Sequence, residues 1–415
     1  MTTVRTVFGL TAAATLALGT TATAAPTAFD VNAGSEQGAT VMSASQAADY
    51  IVMLELPQQA MGAQGMKSAD AKAAVASTTE ATAAKYAAKG ADVKNELKSL
   101  GGFTANLTPE QVAELEADPA VASVTKSRTV HATEAQTDAT WGLDRVDQEA
   151  PELDQTYNYE GTGEGVNSYV IDTGVRATHS DFEGRVGEGF SAIDDGMGTD
   201  DCNGHGTHVA GTMGGKEFGV AKGTNLIPVR VLSCEGSGST DGIITAMDWV
   251  IENKGDTPSV ANMSLGGGAD QVLDEAIGRM TEAGIVTAVA AGNDTDDACN
   301  YSPARAESAI TVGSTAEGDA LSDFSNFGDC VDILAPGTDI TSAWMDDDEA
   351  TNTISGTSMA SPHVAGGAAL ALEKNPQATV EEVTATLTET ATKDAIDGVN
   401  GSPNLLLNAL KVSAG

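Results

Sequence analysis

After residue 140 the chain alternates short apolar runs with stretches of helical character, and this alternation limits the possible folds more than any other feature. The apolar runs cover residues 166–171, 226–232, 285–290 and 310–312. The helical stretches cover residues 241–254, 272–283 and 357–373. Strands and helices that alternate in this way predict an α/β domain with a mostly parallel sheet. In such folds we expect catalytic side chains where strands end.

A smaller module is predicted before this domain, over residues 48–131. Residues 49–56 have the pattern of a strand, and the Ala- and Lys-rich stretch from about residue 68 to 98 has that of a helix. A second helix is predicted from Thr108 as N-cap, Pro109 at the first position and Gln111 completing a capping box. Residues 120–125 have the pattern of a closing strand. We therefore predict a βαββαβ module, a small α+β fold of ferredoxin-like type with weak middle strands.

The first 25 residues have the layout of a cleavable secretory signal. Arg5 precedes an apolar stretch from Val7 to Leu18, and small residues follow at 22–25. A membrane anchor is the alternative, but the apolar run is too short for about 30 Å of hydrocarbon. Residues 26–47 are predicted to be a linker, and residues 131–140 a boundary before a catalytic domain at 136–415. We expect an extracellular protein that makes no contact with a membrane.

The charge of the chain excludes one class of partner. It carries 59 acidic and 21 basic residues, a net charge of −38. From residue 136 onward there are 46 acidic and 12 basic residues, a difference of −34. Such a field repels phosphates, so nucleic acid is not an expected partner. It suits a salt-rich exterior, where screening is short-ranged, and some carboxylates have a second use as calcium ligands.

The four cysteines permit two interpretations. Their even number suits disulfides in an oxidising compartment, and spacing alone leaves three pairings open. They are Cys202, Cys234, Cys299 and Cys330. The other interpretation is a metal site, because Cys202 lies close in sequence to His205 and His208. The neighbourhood does not obviously supply the further ligands of a tetrahedral site.

Three residues of catalytic type lie at predicted strand ends or helix starts. Asp172 follows the apolar run Tyr169 to Ile171, His205 lies in a Gly- and Thr-rich motif, and Ser358 begins a helix of small residues. Each alone is commonly structural. Together they supply the nucleophile, base and orienting carboxylate of acyl transfer.

The order of these residues along the chain separates the folds that perform this chemistry. Here the order is Asp172, His205, Ser358. The α/β-hydrolase order places a histidine after the serine, and the one histidine after Ser358 is His363, which is too close in sequence to be that partner. The α/β-hydrolase interpretation is therefore excluded.

Five motifs surround these residues and are highly specific. They are Val170-Ile-Asp-Thr-Gly174, Gly204-His-Gly-Thr-His-Val-Ala-Gly-Thr212, Asn262-Met-Ser-Leu-Gly-Gly267, Ala290-Ala-Gly-Asn293 and Gly356-Thr-Ser-Met-Ala-Ser-Pro-His363. Over residues 141–410 the chain resembles the subtilisin-like serine proteases, and more narrowly the proteinase K branch with the two-disulfide pattern of aqualysin-type secreted enzymes. The resemblance implies a three-layer fold around a mostly parallel sheet. It also implies that residues 48–131 are an inhibitory propeptide.

The resemblance also implies a role for each catalytic residue. Ser358 is the nucleophile, His205 the base and Asp172 the residue that orients His205. Asn293 resembles the side-chain donor of the oxyanion hole, which acts with the positive end of the helix that begins at Ser358. His208 and His363 are then structural.

Substrate and calcium sites follow from the same resemblance. The two edges that clasp an extended peptide and one wall of the S1 pocket are implied at Gly236, Ser237, Gly238, Ser264, Leu265, Gly266, Ala290, Ala291 and Gly292. Small wall residues leave room for a large apolar side chain at P1, the residue before the cleaved bond.

The resemblance also implies how the cysteines pair. The implied disulfides are Cys202 to Cys234 and Cys299 to Cys330.

Structural calcium is implied at two places. One site matches Asp144, Asp147, Gln148 and Asp154, with Thr156 where relatives carry an amide. A second comprises Asp332 with main-chain carbonyls near Glu307 and Ala309. The acidic loop 194–201 is either a third site or a solvated loop.

The sequence therefore predicts a secreted, monomeric serine endopeptidase with broad specificity for protein and peptide substrates. Its own propeptide inhibits it until self-cleavage between about His131 and Thr140. Two alternatives differ in testable features. A selective processing protease would have an acidic, restrictive S1 pocket or an extra C-terminal domain. The extra domain is not expected, because the last predicted helix lies near Gly415. An inactive binding relative would lack a triad residue or Asn293, and all four are present.

Overall fold

The computed structural model describes residues 47–55, 69–127 and 134–414. The chain divides into two compact units near Thr129. The signal segment, almost all of the linker and part of the expected cleavage region lie outside the described residues. In the described parts of the chain, no helix is long and apolar enough to cross a membrane.

The first unit is a four-stranded antiparallel sheet with two helices, in the predicted βαββαβ order. Its elements are β1 (Ala48–Leu54), α1 (Ala69–Ala87), β2 (Asp92–Leu97), β3 (Gly102–Leu107), α2 (Pro109–Glu116) and β4 (Val121–Lys126). The strands lie in the order β2-β3-β1-β4. Phe103, Leu107 and Leu115 are fully buried in its core. The predicted capping box of α2 forms, since Gln111 N–H donates to Thr108 Oγ1 and Thr108 N–H to Gln111 Oε1.

The helix predicted over residues 68–98 is wrong in its last third. The helix ends at Ala87, and residues 92–97 form strand β2, which pairs with β3 from Asp92 opposite Asn106 to Leu97 opposite Gly102. Gly90 adopts a φ of 92° in the turn between the helix and β2, a conformation that glycine reaches at no steric cost. Composition alone favoured a helix here, but the pairing with β3 decides the structure.

The second unit contains the remaining elements. They are β5 (Glu134–Thr137), α3 (Trp141–Val146), β6 (Thr156–Tyr159), β7 (Asn167–Asp172), β8 (Phe190–Ser191), α4 (His205–Gly214), β9 (Asn225–Arg230), α5 (Thr240–Asn253), β10 (Ser259–Met263), β11 (Gly267–Gly268), α6 (Gln271–Glu282), β12 (Ile285–Ala290), β13 (Tyr301–Ser302), β14 (Ile310–Ala316), β15 (Ala320–Leu321), β16 (Ile333–Pro336), β17 (Ile340–Ala343), β18 (Thr351–Ile354), α7 (Thr357–Lys374), α8 (Val380–Thr390), β19 (Thr392–Lys393), β20 (Leu405–Leu406) and α9 (Ala409–Ala414).

A central sheet organises this unit into three layers. Its strand order is β19-β20-β16-β14-β12-β10-β7-β9-β8, and the pairs from β16 through to β8 are parallel. Neighbouring residues of β7 face opposite layers: Val170 packs with α4 and α7, whereas Tyr169 and Ile171 pack with α5 and α6. Because both faces are covered, the central strands are buried along most of their length, and they carry some buried polar residues such as Ser168, Asn262 and Ser314. The predicted three-layer α/β fold is confirmed.

This topology brings distant parts of the sequence to one end of the sheet. Asp172 is the last residue of β7, and His205 is the first residue of α4. Ser358 is the second residue of α7, which packs across β10, β12, β14 and β16. The carboxyl ends of parallel strands therefore meet the amino ends of two helices at this edge.

Candidate active site

Asp172 and His205 form a hydrogen-bonded pair. His205 Nδ1 lies 2.7 Å from Asp172 Oδ1, which also accepts the N–H of Thr173. The Asp172 side chain is completely buried, whereas a quarter of the His205 side chain is exposed. Burial alone would lower the pKa of His205, but the charge of Asp172 and its hydrogen bond more than offset this, so that the pKa is raised. The imidazole is thus fixed by Asp172 with its other nitrogen free for a proton transfer.

Close packing sets the position of α4 against the end of β7. A Cβ on Gly206 would lie 2.1 Å from the carbonyl oxygen of Gly174, so only glycine allows the helix to approach this closely. His205 is held beside Asp172 as a consequence.

Ser358 lies at the start of α7, and Pro362 in the first turns of this helix has a structural explanation. A proline donates no backbone hydrogen bond to the carbonyl four residues earlier, which here belongs to Ser358. Ser264 Oγ donates to that carbonyl at 2.7 Å. Asn262 Nδ2 in turn donates to Ser264 Oγ. The backbone of Ser358 is therefore held by a side chain from the end of β10.

The Ser358 hydroxyl forms its hydrogen bond with Ser264 rather than with His205 in this structure. It donates to the carbonyl oxygen of Ser264 at 3.1 Å. The hydroxyl must exchange this hydrogen bond for one to His205 before His205 can accept its proton. Catalytic hydrogen bonds are often absent before substrate binds, so this arrangement is compatible with a serine nucleophile.

Asn293 lies opposite Ser358, with its amide oriented by Thr357. Asn293 Oδ1 accepts hydrogen bonds from Thr357 N–H at 2.8 Å and from Thr357 Oγ1 at 2.9 Å. Its Nδ2 group and the Ser358 N–H donate to none of the described residues. Two donors at the amino end of α7 are thus available for a developing oxyanion.

Both other histidines near the site are buried and held by backbone groups. His208 Nε2 lies 2.9 Å from Ile340 O, and His363 Nδ1 lies 2.8 Å from Met359 O. Burial lowers the pKa of each to about 4. They are neutral packing residues in this geometry.

The residues expected to bind substrate line two adjoining lobes of one cleft. The first lobe, a cavity of 530 Å³, includes His205 and the edges at 236–238 and 264–266. The second, of 370 Å³, includes Ser358 and Asn293 with Leu265, Gly266 and residues 290–292. Each of the nine residues assigned to substrate binding from the sequence lines at least one lobe, and Leu265 and Gly266 line both. Asp294 and Tyr301 also line the second lobe, and neither was expected.

The cysteines form two disulfides, Cys202 to Cys234 and Cys299 to Cys330, as the resemblance implied. No free cysteine occurs among the described residues. Because Cys202 is oxidised, it offers no thiolate to a metal, and the metal site with His205 and His208 is not supported.

The residues proposed from the sequence for a first calcium site cluster around α3. Asp144 and Asp147 are almost completely buried. Asp147 Oδ1 has no hydrogen-bond partner, and burial, followed by the charges of Asp144 and Asp154, raises the pKa of Asp147. Gln148 Nε2 donates to Ala150 O and Glu152 O. A buried, unpartnered carboxylate oxygen beside two other carboxylates fits an oxygen-seeking cation.

The other two calcium candidates differ from the first. Asp332 directly precedes β16, and its carboxylate accepts the N–H of Thr311 at 2.8 Å. Thr311 follows closely after Glu307 and Ala309 in the sequence. In the loop 194–201, Asp195 pairs with the buried Arg230, and Asp201 accepts hydrogen bonds from protein donors. These two loop carboxylates are occupied without a cation.

Sequence reasoning did not identify Asn326, which supports the turn that carries Asn293. Asn326 accepts the N–H groups of Asp294 and Asp296 and donates to Ala291 O, which fixes the turn carrying Asn293. Gly292 adopts a φ of 105° in this turn, and a Cβ there would lie 2.3 Å from Asn326 Nδ2. The sequence signal for Asn326 was weak, since this residue lies outside the recognisable motifs.

Comparison with known proteins agrees with this geometry. Residues 163–405 match the model of the subtilase family, and residues 49–133 match that of the peptidase inhibitor I9 family. The chain is 51% identical over 310 residues to an extracellular serine proteinase of Thermus sp. (strain Rt41A), and the aligned region covers 74% of this chain and 75% of that protein. It is 50% identical over 318 residues to alkaline serine exoprotease A of Vibrio alginolyticus, and the aligned region covers 75% of this chain and 59% of that protein.

A solved structure shares the fold. The crystal structure of a cold adapted subtilisin-like serine proteinase superposes with a TM-score of 0.64 at 51% identity and covers 66% of this chain and 99% of the other. Because a family model spans more than half of the chain and the sequence identity is high, the chain belongs to the subtilase family of serine endopeptidases, with an I9 inhibitor region before the peptidase domain.

Proposed function

We propose that Asp172, His205 and Ser358 hydrolyse peptide bonds through an acyl-enzyme, with Asn293 as oxyanion donor. The observation that carries this proposal is the 2.7 Å contact between buried Asp172 and His205, at the same sheet edge as Ser358 and Asn293. Asp270 and Asp294 also line the two lobes, but among the described residues neither carboxylate is hydrogen-bonded to a histidine.

The reaction proceeds in two halves. Ser358 Oγ attacks the scissile carbonyl carbon while His205 Nε2 takes the hydroxyl proton, and Asp172 stabilises the imidazolium. The Ser358 N–H and Asn293 Nδ2 receive the carbonyl oxygen as it becomes negative. His205 then returns the proton to the leaving amine. In the second half, a water deprotonated by His205 attacks the acyl carbon, the bond to Ser358 Oγ breaks, and His205 returns the proton to Ser358 Oγ.

The cleft supports broad specificity. The edges at 236–238 and 264–266 consist mainly of Gly and Ser, so backbone hydrogen bonds to an extended peptide supply much of the affinity. The wall at Ala290, Ala291 and Gly292 carries small side chains and leaves space for a large apolar P1 residue. Substrates are then selected mainly by chain conformation.

The enzyme is secreted as a monomeric zymogen in this proposal. Residues 1–25 direct export, residues 48–131 inhibit, and self-cleavage between His131 and Thr140 starts the mature enzyme, whose domain spans 136–415. The I9 match and the extracellular relatives support this arrangement. Calcium held by Asp144, Asp147, Gln148 and Asp154 stabilises the fold by neutralising buried carboxylates, and a second ion binds at Asp332.

Hydrolysis of short peptide amides tests the proposal. The purified enzyme is assayed with substrates that carry Phe, Ala or Glu at P1, alongside Ser358→Ala and the control Ser355→Ala, which changes an exposed serine outside the cleft. We expect wild type and the control to cleave, with Phe preferred to Glu, and Ser358→Ala to be inert. Cleavage by Ser358→Ala at the wild-type rate would contradict the assignment.

A further inference from the structure

Asp201 lies just before α4, and its carboxylate accepts five hydrogen bonds. Oδ1 accepts the N–H groups of Asn203 and Gly204, each at 2.9 Å, and the Thr173 hydroxyl at 2.9 Å. Oδ2 accepts the N–H of Thr207 at 2.9 Å and its hydroxyl at 2.6 Å. Five donors from two separate segments thus converge on one buried side chain.

One of these donors connects Asp201 to the catalytic aspartate. Thr173 directly follows Asp172, and its side chain is fully buried. Thr173 Oγ1 donates to Asp201 and accepts the N–H of Gly206 at 2.8 Å. The end of β7, which carries Asp172, is therefore tied to the first turn of α4, which carries His205, through Thr173 and Asp201.

We propose that Asp201 is a positioning residue for catalysis: it holds the start of α4 against the end of β7 so that His205 meets Asp172, and it supplies a second negative charge near the imidazolium. The inference rests on the proposed function, because it assigns a role within the same triad. It predicts two separable effects of losing Asp201: a lower kcat because His205 is less well placed, and a shifted acid limb of kcat/KM because a negative charge is lost.

The charges around His205 define the second effect. Asp172 at the end of β7 is hydrogen-bonded to the imidazole, and the charge of Asp201 in the preceding loop also acts on it; the third titratable group is His208, one turn later in α4. His208 is neutral at working pH because its pKa is about 4. Asp201 adds to the effect of Asp172 in raising the pKa of His205 against the effect of burial. Loss of the Asp201 charge therefore favours neutral imidazole at lower pH.

A helix cap without a catalytic effect is the competing explanation. Asp201 accepts N–H groups at the start of α4, as capping side chains do, and such a residue would change stability alone. The pH dependence of the mature enzyme separates the two, since a cap that merely keeps the protein folded does not move the titration of His205.

The test compares three variants with wild type. Asp201→Asn removes the charge, Thr173→Val removes the bridging hydroxyl and keeps the charge, and Asp200→Asn removes an exposed neighbouring charge as a control. Each is expressed as the full chain, its maturation is confirmed by mass, and its active sites are titrated with a sulfonyl fluoride. Values of kcat and kcat/KM per titrated site are then measured from pH 5 to 10 with one amide substrate.

We expect Asp201→Asn to lower kcat about 10- to 100-fold with little change in KM, and to move the acid limb of kcat/KM to lower pH. Thr173→Val should lower kcat and leave the acid limb in place, and Asp200→Asn should change neither. If Asp201→Asn keeps both kcat per active site and the acid limb of wild type, the inference is wrong. If Asp201→Asn does not mature, an unchanged kcat in Thr173→Val likewise overturns it. A wild type that neither hydrolyses the amide nor reacts with the titrant would instead contradict the proposed function.

Discussion

Ser264 Oγ donates a hydrogen bond to the carbonyl oxygen of Ser358 at 2.7 Å, in the place where a backbone N–H would stand if residue 362 were not proline. The helix that begins beside Ser358, the proposed nucleophile, is thereby tied to the segment after β10, which also forms one edge of the cleft. The same side chain supports the protein's core and its reaction site.

This relationship predicts a double-mutant cycle. Ser264→Ala leaves the Ser358 carbonyl without a donor, at a cost of about 1 to 3 kcal/mol in the free energy of unfolding. Adding Pro362→Ala supplies a helical N–H four residues after Ser358, so the double variant should be more stable than Ser264→Ala alone. Thermal unfolding at one fixed scan rate, with all variants in a Ser358→Ala background to prevent autolysis, measures the difference. Additive losses from the two changes would show that the two donors do not replace each other.

Removal of the Asn293 amide should affect the transition state more than substrate binding. Asn293→Ala loses the Nδ2 donor, so we expect kcat to fall by about 10²- to 10³-fold with KM nearly unchanged. This magnitude is the one established for removal of the oxyanion donor in subtilisin, a member of the same family. Steady-state kinetics on a single amide substrate check it. A rise in KM with unchanged kcat would assign Asn293 to ground-state binding.

The pH dependence of activity follows from the environment of His205. His205 must be neutral to accept the serine proton, and Asp172 raises its pKa above the ordinary value of about 6.5. Activity should therefore be lost as the pH falls through that raised value. Asp172→Asn should lower kcat by about 10⁴-fold, the size established for such triads, and move the remaining acid limb to lower pH. A kcat/KM profile from pH 5 to 10 tests both statements, and an acid limb that stays in place would separate Asp172 from His205.

Calcium should stabilise the protein through the cluster around α3. Burial raises the pKa of Asp144 and Asp147, so each holds its proton more tightly in the folded chain than in the unfolded one. Without a cation, stability therefore falls as the pH rises from about 3.9 through the raised values. Calcium at neutral pH should raise the midpoint of thermal unfolding, a chelator should lower it, and Asp147→Asn should weaken this response.

A control for this prediction is Asp256→Asn, which changes an exposed carboxylate in the turn between α5 and β10. It should retain the full calcium response. If Asp147→Asn responds to calcium as strongly as wild type does, the stabilising ion binds elsewhere.

The candidate catalytic residues were predictable because they lie within short motifs. Asp172, His205 and Ser358 are the residue types of acyl transfer, whereas Asn293 was identified only through the family resemblance. The parallel sheet explains why these distant motifs meet. Strand β2 was not predictable, because residues 92–97 become a strand through pairing with β3, a contact that local composition does not encode.

The supporting contacts were also beyond local patterns. Ser264 meets Ser358 across 94 residues, and Asn326 meets Asp294 across 32. Asp201 could be interpreted from the sequence as an acidic loop residue or a calcium ligand, whereas its role depends on Thr173, which is 28 residues away. Such hydrogen bonds depend on the folded geometry, since each partner alone is an ordinary polar residue.

The most direct test of self-processing by Ser358 is the intact mass and N-terminal sequence of wild type and Ser358→Ala, each expressed as residues 26–415. We expect wild type to shorten so that it begins between His131 and Thr140, and to cleave an amide with Phe at P1, while Ser358→Ala stays full length and inert. A folded wild type that also stays full length and inert would contradict the claim that Ser358 is the nucleophile of a self-processing endopeptidase.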